Sequence, residues 1–372
     1  MKESPAGLSE LLLPWFERHG RRNLPWQQDP TPYRVWISEV MLQQTQVETV
    51  KPYFERFIAR FPDVTTLAAA PQDEVLRLWS GLGYYARARN LHRGAQESVS
   101  RHGSRLPESP EGLMALPGIG RSTAGAILAL AHGRREPILD GNVKRVLARV
   151  FLVEDAPEST KGVRTLWEHA EACTPRSRVA EYTQAIMDLG ATVCTRANPA
   201  CDRCPLQVRC GAFMTGRVTE LPVRRKRAPR RLRRSHMLIV LREGRVLLER
   251  RPPRGIWGGL WVPPEFPEAG EAEAWAVSRF ASSASAVKRL PVIRHAFTHF
   301  DLDIEPWVLE IRGAPREVAE DGARWHELAA LHAVGLPAPV TRLLKECRDD
   351  PNGSMRRARP RGPRSRAPAV SG

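Results

Sequence analysis

A break in composition divides this chain of 372 residues into two parts. The twelve residues Val223–Arg234 hold eight basic side chains, no acidic one and a proline. Such a segment has no apolar face to bury, so it is predicted to be a linker. Before it, residues 1–221 carry apolar side chains at helical spacing, as at Trp36, Val40 and Val47. After it, short alternating runs are typical of strands.

The sequence therefore predicts a mainly α region followed by a smaller α+β domain. His236–Leu241 and Val246–Leu248 flank a Glu-Gly pair, which predicts two strands around a turn. Met355–Gly372 carries six arginines and no acid, which is typical of a disordered tail. The expected organisation is a first domain at 1–221, a linker at 222–234, a second domain at 235–345 and a tail at 346–372.

The formal net charge of +16 makes nucleic acid the first partner to expect, and an acidic membrane surface the second. Val223–Arg234 carries +8 of this charge and Met355–Gly372 carries +6, which leaves only +2 elsewhere. Apolar runs such as Ala124–Ala131 are far shorter than the roughly 20 residues that span a bilayer. Leu11–Leu13 is too short for a secretion signal, and six cysteines are too few for a disulfide framework. We expect a cytoplasmic, nucleoid-associated protein.

Four of the six cysteines lie within 17 residues, at the spacing Cys194-x6-Cys201-x2-Cys204-x5-Cys210. Thiolates this close together can enclose one metal centre, either an iron–sulfur cluster or a structural zinc ion. The unequal spacing within one loop favours the cluster, and four unrelated buried cysteines are the weaker alternative. Cys173 and Cys347 have no partner at a useful spacing and are expected to be packing residues.

The segment Leu116-Pro117-Gly118-Ile119-Gly120 separates two helical stretches. Its glycines permit positive φ and let a partner approach the backbone, and the free amides of the next helix can hold a phosphate. This pattern is typical of a helix-hairpin-helix, which grips the DNA backbone without reading its sequence. An ordinary turn between packed helices is an equal alternative for the segment alone.

Two carboxylates stand in settings that suit acid–base chemistry. Glu39 lies in an apolar stretch, Val35–Val47, and desolvation there would raise its pKa as a general acid requires. Asp140 precedes a helical run, where an aspartate is usually an N-cap. The amides of Gln43 and Gln44 suit contact with base edges, and a polar helix face is their alternative.

The segment Gly81–Arg89 combines aromatic with basic side chains. The rings of Tyr84 and Tyr85 can stack on bases or wedge between them while Arg87 and Arg89 meet phosphates. The alternative is a core tyrosine pair with two surface arginines.

Together these motifs resemble the MutY-type adenine DNA glycosylases of the helix-hairpin-helix superfamily, which includes endonuclease III. The resemblance runs from about Leu24 to Cys210 and resumes at Arg251–Trp261 and His295–Phe300. It implies two helical lobes with a 4Fe–4S cluster loop at 194–210, followed by a Nudix-like α+β domain. It also implies a monomer that binds double-stranded DNA with 8-oxoguanine:A or G:A mispairs, and no membrane.

The resemblance implies a role for each motif. Adenine would be flipped out of the duplex, and Glu39 would protonate its N7 and later activate water. Asp140 would stay ionised and stabilise the oxocarbenium-like sugar, either directly or through a transient covalent adduct. Gln44 and Tyr84 would fill the gap in the duplex, with Gln43 alongside. The residues that would hold the strand are Pro117, Gly118 and Gly120.

One position separates close relatives. Bifunctional enzymes of the endonuclease III type carry a lysine directly after the arginine that follows the hairpin, and its amine attacks the sugar. Here Arg121 is followed by Ser122, whose hydroxyl cannot form an imine. We therefore expect base removal without strand cleavage by β-elimination.

The C-terminal module resembles the Nudix fold that this family uses to recognise 8-oxoguanine. With Gly259 and Glu265 aligned on a Nudix box, the arginine and three acids of that box are replaced by Glu273, Ala274, Val277 and Ser278. Pyrophosphate hydrolysis is therefore not expected. The loop that would probe the oxidised base is Phe297, Thr298 and His299, where the family has Phe-Ser-His.

Three other functions compete with a monofunctional adenine glycosylase. A glycosylase/lyase for oxidised pyrimidines is disfavoured by Ser122. A non-enzymatic DNA-binding scaffold is disfavoured by the pair Glu39 and Asp140. A nucleotide pyrophosphatase is disfavoured by the missing acids of the Nudix box.

Overall fold

The structure is a computed structural model, and it describes residues 7–223, 229–280, 287–311 and 322–349. The chain forms two compact units. Their bounds are Met1–Arg231, Arg251–Trp261 and His332–Gly335 for the first, and Leu232–Arg250, Val262–Leu331 and Leu336–Gly372 for the second.

The described part of the first unit is helical, which confirms the predicted α region. Its helices are α1 Leu8–His19, α2 Pro32–Leu42, α3 Val47–Arg60, α4 Val64–Ala69, α5 Gln72–Trp79, α6 Ala86–Arg101, α7 Pro110–Ala115, α8 Arg121–His132, α9 Gly141–Val150, α10 Thr160–Cys173, α11 Val179–Thr192 and α12 Gly211–Met214. Side chains at several N-caps accept a hydrogen bond from a first-turn amide and so fix where these helices begin. The capping residues are Thr31, Asp63, Ser109, Asp140 and Ser159.

The helices form two lobes. One lobe contains α3 to α6, and large side chains such as Phe54, Phe57 and Trp79 fill its core. The other contains α1 and α9 to α11 around residues such as Leu147 and Leu189. Helix α2 packs on α3 and on α8, and α8 in turn packs on α11. The helix that carries Glu39 therefore lies where the two lobes meet.

The apolar spacing from Trp36 to Val47 predicted helical structure, and the structure divides it between two helices. Helix α2 ends at Leu42 and α3 begins at Val47. Gln44, between them, has a φ of 59°. A residue with a Cβ in the left-handed region ends a right-handed helix. The glutamines of this segment therefore lie in a turn and not on a helix face.

From Arg231 onward the residues that the structure describes form one eight-stranded sheet with two α-helices, which confirms the α+β domain. The elements are β1 Arg231–Arg242, β2 Arg245–Arg250, β3 Trp261–Val262, β4 Glu265–Phe266, α13 Ala269–Phe280, β5 Lys288–Arg289, β6 Ile293–Ala296, β7 Phe300–Glu310, β8 Ala323–Glu327 and α14 Ala338–Asp349. The order along the sheet is β3-β2-β1-β7-β5, with β4 paired to β1, β6 to β7 and β8 to β2. Helix α13 packs on the sheet through Ala276 and Phe280.

The predicted hairpin is present in this sheet. Strands β1 and β2 pair antiparallel, with Leu241 opposite Val246. Glu243 and Gly244 connect them with φ values of 47° and 76°. Two successive positive φ angles match the twist of the flanking strands, so the Glu-Gly pair makes a tight hairpin.

Regular structure extends into both segments that were predicted to be irregular. Strand β1 begins at Arg231, within the expected linker. The first side chains of the strand are exposed, so the apolar pattern of the sequence does not reveal its start. Helix α14 runs to Asp349, past the expected start of the tail at 346. Its buried stripe includes Leu343 and Cys347, so the apolar period continues there. Linker residues 224–228 and tail residues 350–372 lie outside the described residues.

Two cysteines have the packing role expected of them. Cys173 is 3% exposed and Cys347 is 7% exposed. Within the described ranges, no helix is both long enough and apolar enough to cross a bilayer.

Candidate active site and DNA-contact surface

Glu39 and Asp140 are on different helices and are close enough for their charges to interact. Glu39 is in the C-terminal half of α2, and Asp140 is the N-cap of α9. Asp140 Oδ1 accepts a hydrogen bond from the Val143 amide at 2.7 Å, and Oδ2 accepts one from Asn142 Nδ2 at 3.2 Å. Asp140 therefore has two roles: it is the N-cap of α9 and a member of the carboxylate pair. The capping hydrogen bonds hold its side chain in place beside Glu39.

The surroundings of the pair favour a protonated Glu39. Burial raises the pKa of Glu39 to about 8, and repulsion by Asp140 adds to that rise. Burial also raises the pKa of Asp140, but the amides of Val143 and Asn142 and the charge of Arg145 oppose the rise. Both residues are half-buried. The geometry thus provides one carboxylic acid at neutral pH and one hydrogen-bonded carboxyl group beside it.

Ser122 contacts the segment that carries Asp140. It lies in the first turn of α8, and its Oγ accepts a hydrogen bond from the Leu139 amide at 3.0 Å. The hydroxyl therefore fixes the residue before Asp140, which is a positioning contact. Gly141 and Asn142 follow at the start of α9.

A cavity of about 340 Å³ lies next to the helix of Glu39. Val35 and Ser38, on α2, form one side of it. Its other polar or aromatic lining residues are Phe16, Arg21, Arg22, Trp26, Gln27, Glu181 and Gln184. None of these residues was among the predicted site residues. The sequence contains one sign of this cavity, which is the polar Gln184 among the apolar residues of α11. In the structure Gln184 is only 8% exposed.

Asp188 fixes one wall of this cavity. The carboxylate is buried and accepts hydrogen bonds from the Arg21 amide at 2.8 Å and from Arg21 Nε at 3.0 Å. It also accepts one from Gln184 Nε2 at 2.9 Å. This bond uses the nitrogen side of the Gln184 amide, and the amide oxygen is a further acceptor in the cavity wall.

Two turns carry the residues predicted to enter the duplex. Gln44 is exposed in the turn between α2 and α3. Tyr84 is 47% exposed with a φ of 50°, whereas Tyr85 is only 7% exposed. The tyrosine pair is therefore divided between surface and core. Gly81 precedes them with a φ of 106°, and a Cβ there would lie 2.1 Å from the Tyr53 hydroxyl.

Arg87 departs from the role expected of it. The sequence predicted a contact with phosphate, yet the side chain is half-buried and donates to backbone carbonyls such as those of Val40 and Met41. The last carbonyls of α2 have no partner within that helix, and they are the acceptors that the guanidinium of Arg87 reaches. Its guanidinium therefore points into the protein.

The predicted hairpin joins α7 to α8. Gly118 has a φ of 82°, and a Cβ there would lie 2.8 Å from Asn90 Cβ, so the position requires glycine. Gly120 is the N-cap of α8, and a Cβ there would meet nothing within 4 Å. Open space at the first amides of a helix suits the approach of a phosphate. Pro117 is half-buried beside them.

The four predicted metal ligands line one cavity, which follows α11 in the chain. They are Cys194, Cys201, Cys204 and Cys210. Arg149 is 2% exposed, and its Nη1 donates to Cys194 Sγ at 3.2 Å and to the Thr195 carbonyl at 2.8 Å. Across the part of the chain that the structure describes, no three His, Cys, Asp or Glu side chains are placed to hold a single ion. Thiols around a cavity beside a buried cation fit a larger, anionic metal–sulfur cluster.

The second unit contains the predicted recognition loop and the altered Nudix helix. Phe297, Thr298 and His299 connect β6 to β7. The Phe297 ring stacks on Phe300 at 4.6 Å, while Thr298 and His299 are exposed at the tip. On α13, the exposed residues at the box positions are Glu273, Ala274, Val277 and Ser278.

Comparisons with known proteins agree with this architecture. Residues 37–172 match the HhH-GPD superfamily base excision DNA repair protein, and residues 236–346 match the NUDIX domain. The adenine DNA glycosylase of Buchnera aphidicola subsp. Schizaphis graminum (strain Sg) is 36% identical over 338 residues, which cover 91% of this chain and 97% of the relative. The adenine DNA glycosylase of Homo sapiens is 32% identical over 400 residues, covering 90% and 72%. A solved thermostable thymine-DNA glycosylase is 26% identical with a TM-score of 0.51, covering 55% of this chain and 94% of its own.

The helical lobes, the hairpin and the paired carboxylates define a helix-hairpin-helix DNA N-glycosylase of base excision repair, which carries a second domain of the NUDIX type. The extent of the similarity to curated relatives then decides the family within that class. The chain belongs to the adenine DNA glycosylase family.

Proposed function

We propose that this protein hydrolyses the N-glycosidic bond of adenine mispaired with 8-oxoguanine or guanine in double-stranded DNA. The observation that carries the proposal is the pair formed by Glu39, whose pKa is raised to about 8, and the capped Asp140. An acid beside a second carboxyl group is the arrangement used to break glycosidic bonds through an oxocarbenium-like transition state.

The cavity beside α2 is the proposed pocket for the flipped base. A volume of about 340 Å³ lies at the small end of the range of ligand pockets, as suits a single base. Trp26 supplies an aromatic wall for stacking, and the Gln184 oxygen supplies an acceptor for the exocyclic amino group of adenine. Flipping is required because the bond to be broken is otherwise inside the stacked duplex.

Each carboxyl group has its own part in the proposed reaction. Protonated Glu39 donates its proton to N7 of adenine, and the bond between the base and C1′ of the sugar breaks with its electrons moving to the base. Asp140, as a carboxylate, stabilises the positive charge on the sugar. Glu39, now ionised, accepts a proton from water as the hydroxyl adds to C1′. This step restores the acid.

Residue 122 does not supply the amine that a lyase needs. Ser122 occupies the place where bifunctional relatives of the resembled superfamily carry lysine, and its hydroxyl is bonded to the Leu139 amide. A hydroxyl cannot form a Schiff base with the sugar aldehyde. The protein therefore releases adenine and leaves the strand intact.

The DNA-contacting parts surround the site in three groups. The hairpin of Pro117, Gly118 and Gly120 holds the strand through backbone amides, and Gln44 with Tyr84 fills the space that adenine leaves, with Gln43 alongside. The basic segments at the linker and tail add salt-sensitive affinity without sequence preference. Duplex DNA is therefore the proposed partner. The protein is proposed to act as a monomer associated with the nucleoid.

The four cysteines that line the cavity after α11 hold the proposed 4Fe–4S cluster. A cluster held by these four thiolates would fix the conformation of the loop at 194–210 and so shape it for contact with DNA. Arg149 orients this loop by donating both to Cys194 Sγ and to a backbone carbonyl.

The tip of the β6–β7 hairpin is the proposed probe for 8-oxoguanine. Thr298 and His299 are exposed there and offer a hydroxyl and an imidazole to the oxidised base. The stacked ring of Phe297 supports the loop from behind.

Single-turnover release of adenine from an 8-oxoguanine:A duplex tests the proposal. We expect release by the wild type, loss by Glu39→Gln and Asp140→Asn, and an unchanged rate for the matched surface variant Glu55→Gln, which lies exposed on α3. Full activity of Glu39→Gln would refute the acid role. A wild type that releases no adenine from this duplex or from G:A would refute the function itself.

A further inference from the structure

Arg87 connects the two turns that carry the proposed duplex-entering residues. We call residues 43–46 the first wedge turn and residues 81–84 the second wedge turn. On the side of the first wedge turn, the guanidinium donates to the Val40 carbonyl at 2.8 Å, the Met41 carbonyl at 3.0 Å, the Gln43 carbonyl and Thr45 Oγ1 at 3.3 Å. On the side of the second, it donates to the Leu82 carbonyl at 3.4 Å and the Gly83 carbonyl at 3.3 Å.

Two aromatic rings enclose the same guanidinium. Its central carbon lies 5.4 Å from the ring centroid of Trp79 and 5.4 Å from that of Tyr84. Trp79 is fully buried in the core and Tyr84 is exposed, so the arginine joins a fixed ring to the ring that faces the duplex. Burial lowers the pKa of Arg87 to about 10, which leaves the group cationic at neutral pH.

Both wedge turns place a residue with a Cβ in the left-handed region. Gln44 has a φ of 59° and Tyr84 a φ of 50°. Such conformations are costly and persist where surrounding contacts hold them. The Arg87 guanidinium contacts a residue on each side of Gln44 and also the residue before Tyr84.

We propose that Arg87 is a positioning residue that holds the two wedge turns at a fixed separation, so that Gln44 and Tyr84 enter the duplex as one unit. This inference rests on the proposed role of those two residues in base flipping. The guanidinium of Arg87 binds backbone carbonyls at the end of α2. The residue therefore acts on DNA indirectly, through the two turns that it joins. The planar fork of donors is what spans both turns, and lysine has no equivalent of it.

Arg87→Lys is the variant that tests this role, because it keeps the charge and removes the fork. The readout is 2-aminopurine placed opposite 8-oxoguanine, bound by protein that also carries Glu39→Gln so that the base is not cleaved. We expect Arg87→Lys to abolish most of the fluorescence rise that reports unstacking. In the active protein we expect it to slow single-turnover release on the order of 100-fold, as misplaced groups do. Arg101→Lys, at the exposed far end of α6, is the matched control and should change neither measurement.

A double-variant cycle separates positioning from a general effect on the fold. If Arg87 acts through Tyr84, the combination Arg87→Lys with Tyr84→Ala should be no slower than the slower single variant. Multiplied losses would overturn the inference, and so would a wild-type rate for Arg87→Lys. A wild-type rate for Tyr84→Ala would refute the wedge role, and this inference with it.

A second variant guards against misfolding of Arg87→Lys. Thr45→Val leaves Arg87 in place and removes one acceptor from the first wedge turn. We expect a smaller loss, about threefold to tenfold, with an unchanged melting temperature. An unchanged fluorescence rise and rate for Thr45→Val, together with an unfolded Arg87→Lys, would also count against the inference.

Discussion

Ser122 Oγ accepts a hydrogen bond from the Leu139 amide, and this contact ties the first turn of α8 to the residue that precedes Asp140. The position at which a lysine would make a lyase thus has a different role here. It braces the segment that carries the carboxylate expected to face the sugar.

The absence of an amine at residue 122 can be tested by chemical trapping. Borohydride reduces an imine between protein and sugar to a stable covalent link. We expect wild-type protein to give no strong covalent product with an 8-oxoguanine:A duplex under conditions that release adenine. Ser122→Lys places an amine in the first turn of α8 and should give such a product. Strong trapping by the wild type would contradict the monofunctional assignment.

The raised pKa of Glu39 predicts how the chemical step depends on pH. Only the protonated form can donate to adenine, and burial raises this pKa to about 8. The single-turnover rate should therefore be nearly constant well below pH 8 and fall about tenfold per pH unit well above it. Saturating protein over a pH series gives the profile. A rate that does not decline between pH 8 and 10 would exclude Glu39 as the donor.

The same burial makes Glu39 a cost to stability. Between its ordinary pKa of 4.5 and about 8, the unfolded chain carries the charge and the folded chain does not, so stability falls as pH rises through this window. Glu39→Gln has no charge to desolvate. We expect it to be more stable than the wild type on the order of 2 kcal/mol at pH 7 to 8, and by little at pH 4. Denaturant unfolding at both pH values measures the difference, with Glu55→Gln as a control that should show none.

The hairpin glycines should respond differently to alanine. A Cβ at Gly118 would lie 2.8 Å from Asn90 Cβ at a φ of 82°, whereas a Cβ at Gly120 meets nothing within 4 Å. We expect Gly118→Ala to lower the free energy of unfolding by about 1–2 kcal/mol and to weaken duplex binding. Gly120→Ala should leave the free energy of unfolding unchanged. Denaturant unfolding and fluorescence anisotropy with a mispaired duplex give the two quantities, and equal unfolding of the two variants would contradict the hairpin geometry.

The cysteine loop predicts the metal content of the purified protein. We expect a brown protein with about four iron atoms per chain and a broad absorption band in the visible range. Cys201→Ala should lose the colour, whereas Cys173→Ala, whose thiol is buried in the helical core, should keep it. Metal analysis that finds one zinc ion per chain and no iron would overturn the assignment.

The sequence was sufficient for those features whose residues are close together in the chain. The hairpin, the N-cap at Asp140, the β1–β2 turn and the clustering of four cysteines each depend on a short run with its own turn or cap chemistry. The structure places each of them in the expected local setting. Local patterns carry this information because backbone conformation and capping are decided within a few residues.

The sequence was insufficient where distant segments meet or where one backbone angle decides the outcome. Trp26 and Gln184 line the same cavity although 158 positions separate them, and no period links them. The break between α2 and α3 depends on the left-handed Gln44, which hydrophobic spacing does not detect. Arg87 was assigned to the surface because charged side chains usually lie there, and the unpaired carbonyls that hold it are visible only in three dimensions.

The N-cap at Asp140 has a consequence for inherited variation at this position. Asparagine caps helices as well as aspartate does, so the exchange of one oxygen for an amide nitrogen leaves α9 its first hydrogen bond. It removes the negative charge that the proposed mechanism places beside the cationic sugar, together with the oxygen that accepts from Asn142 Nδ2. If the proposed mechanism holds, a protein altered in this way would fold and bind its mispair without cutting the glycosidic bond.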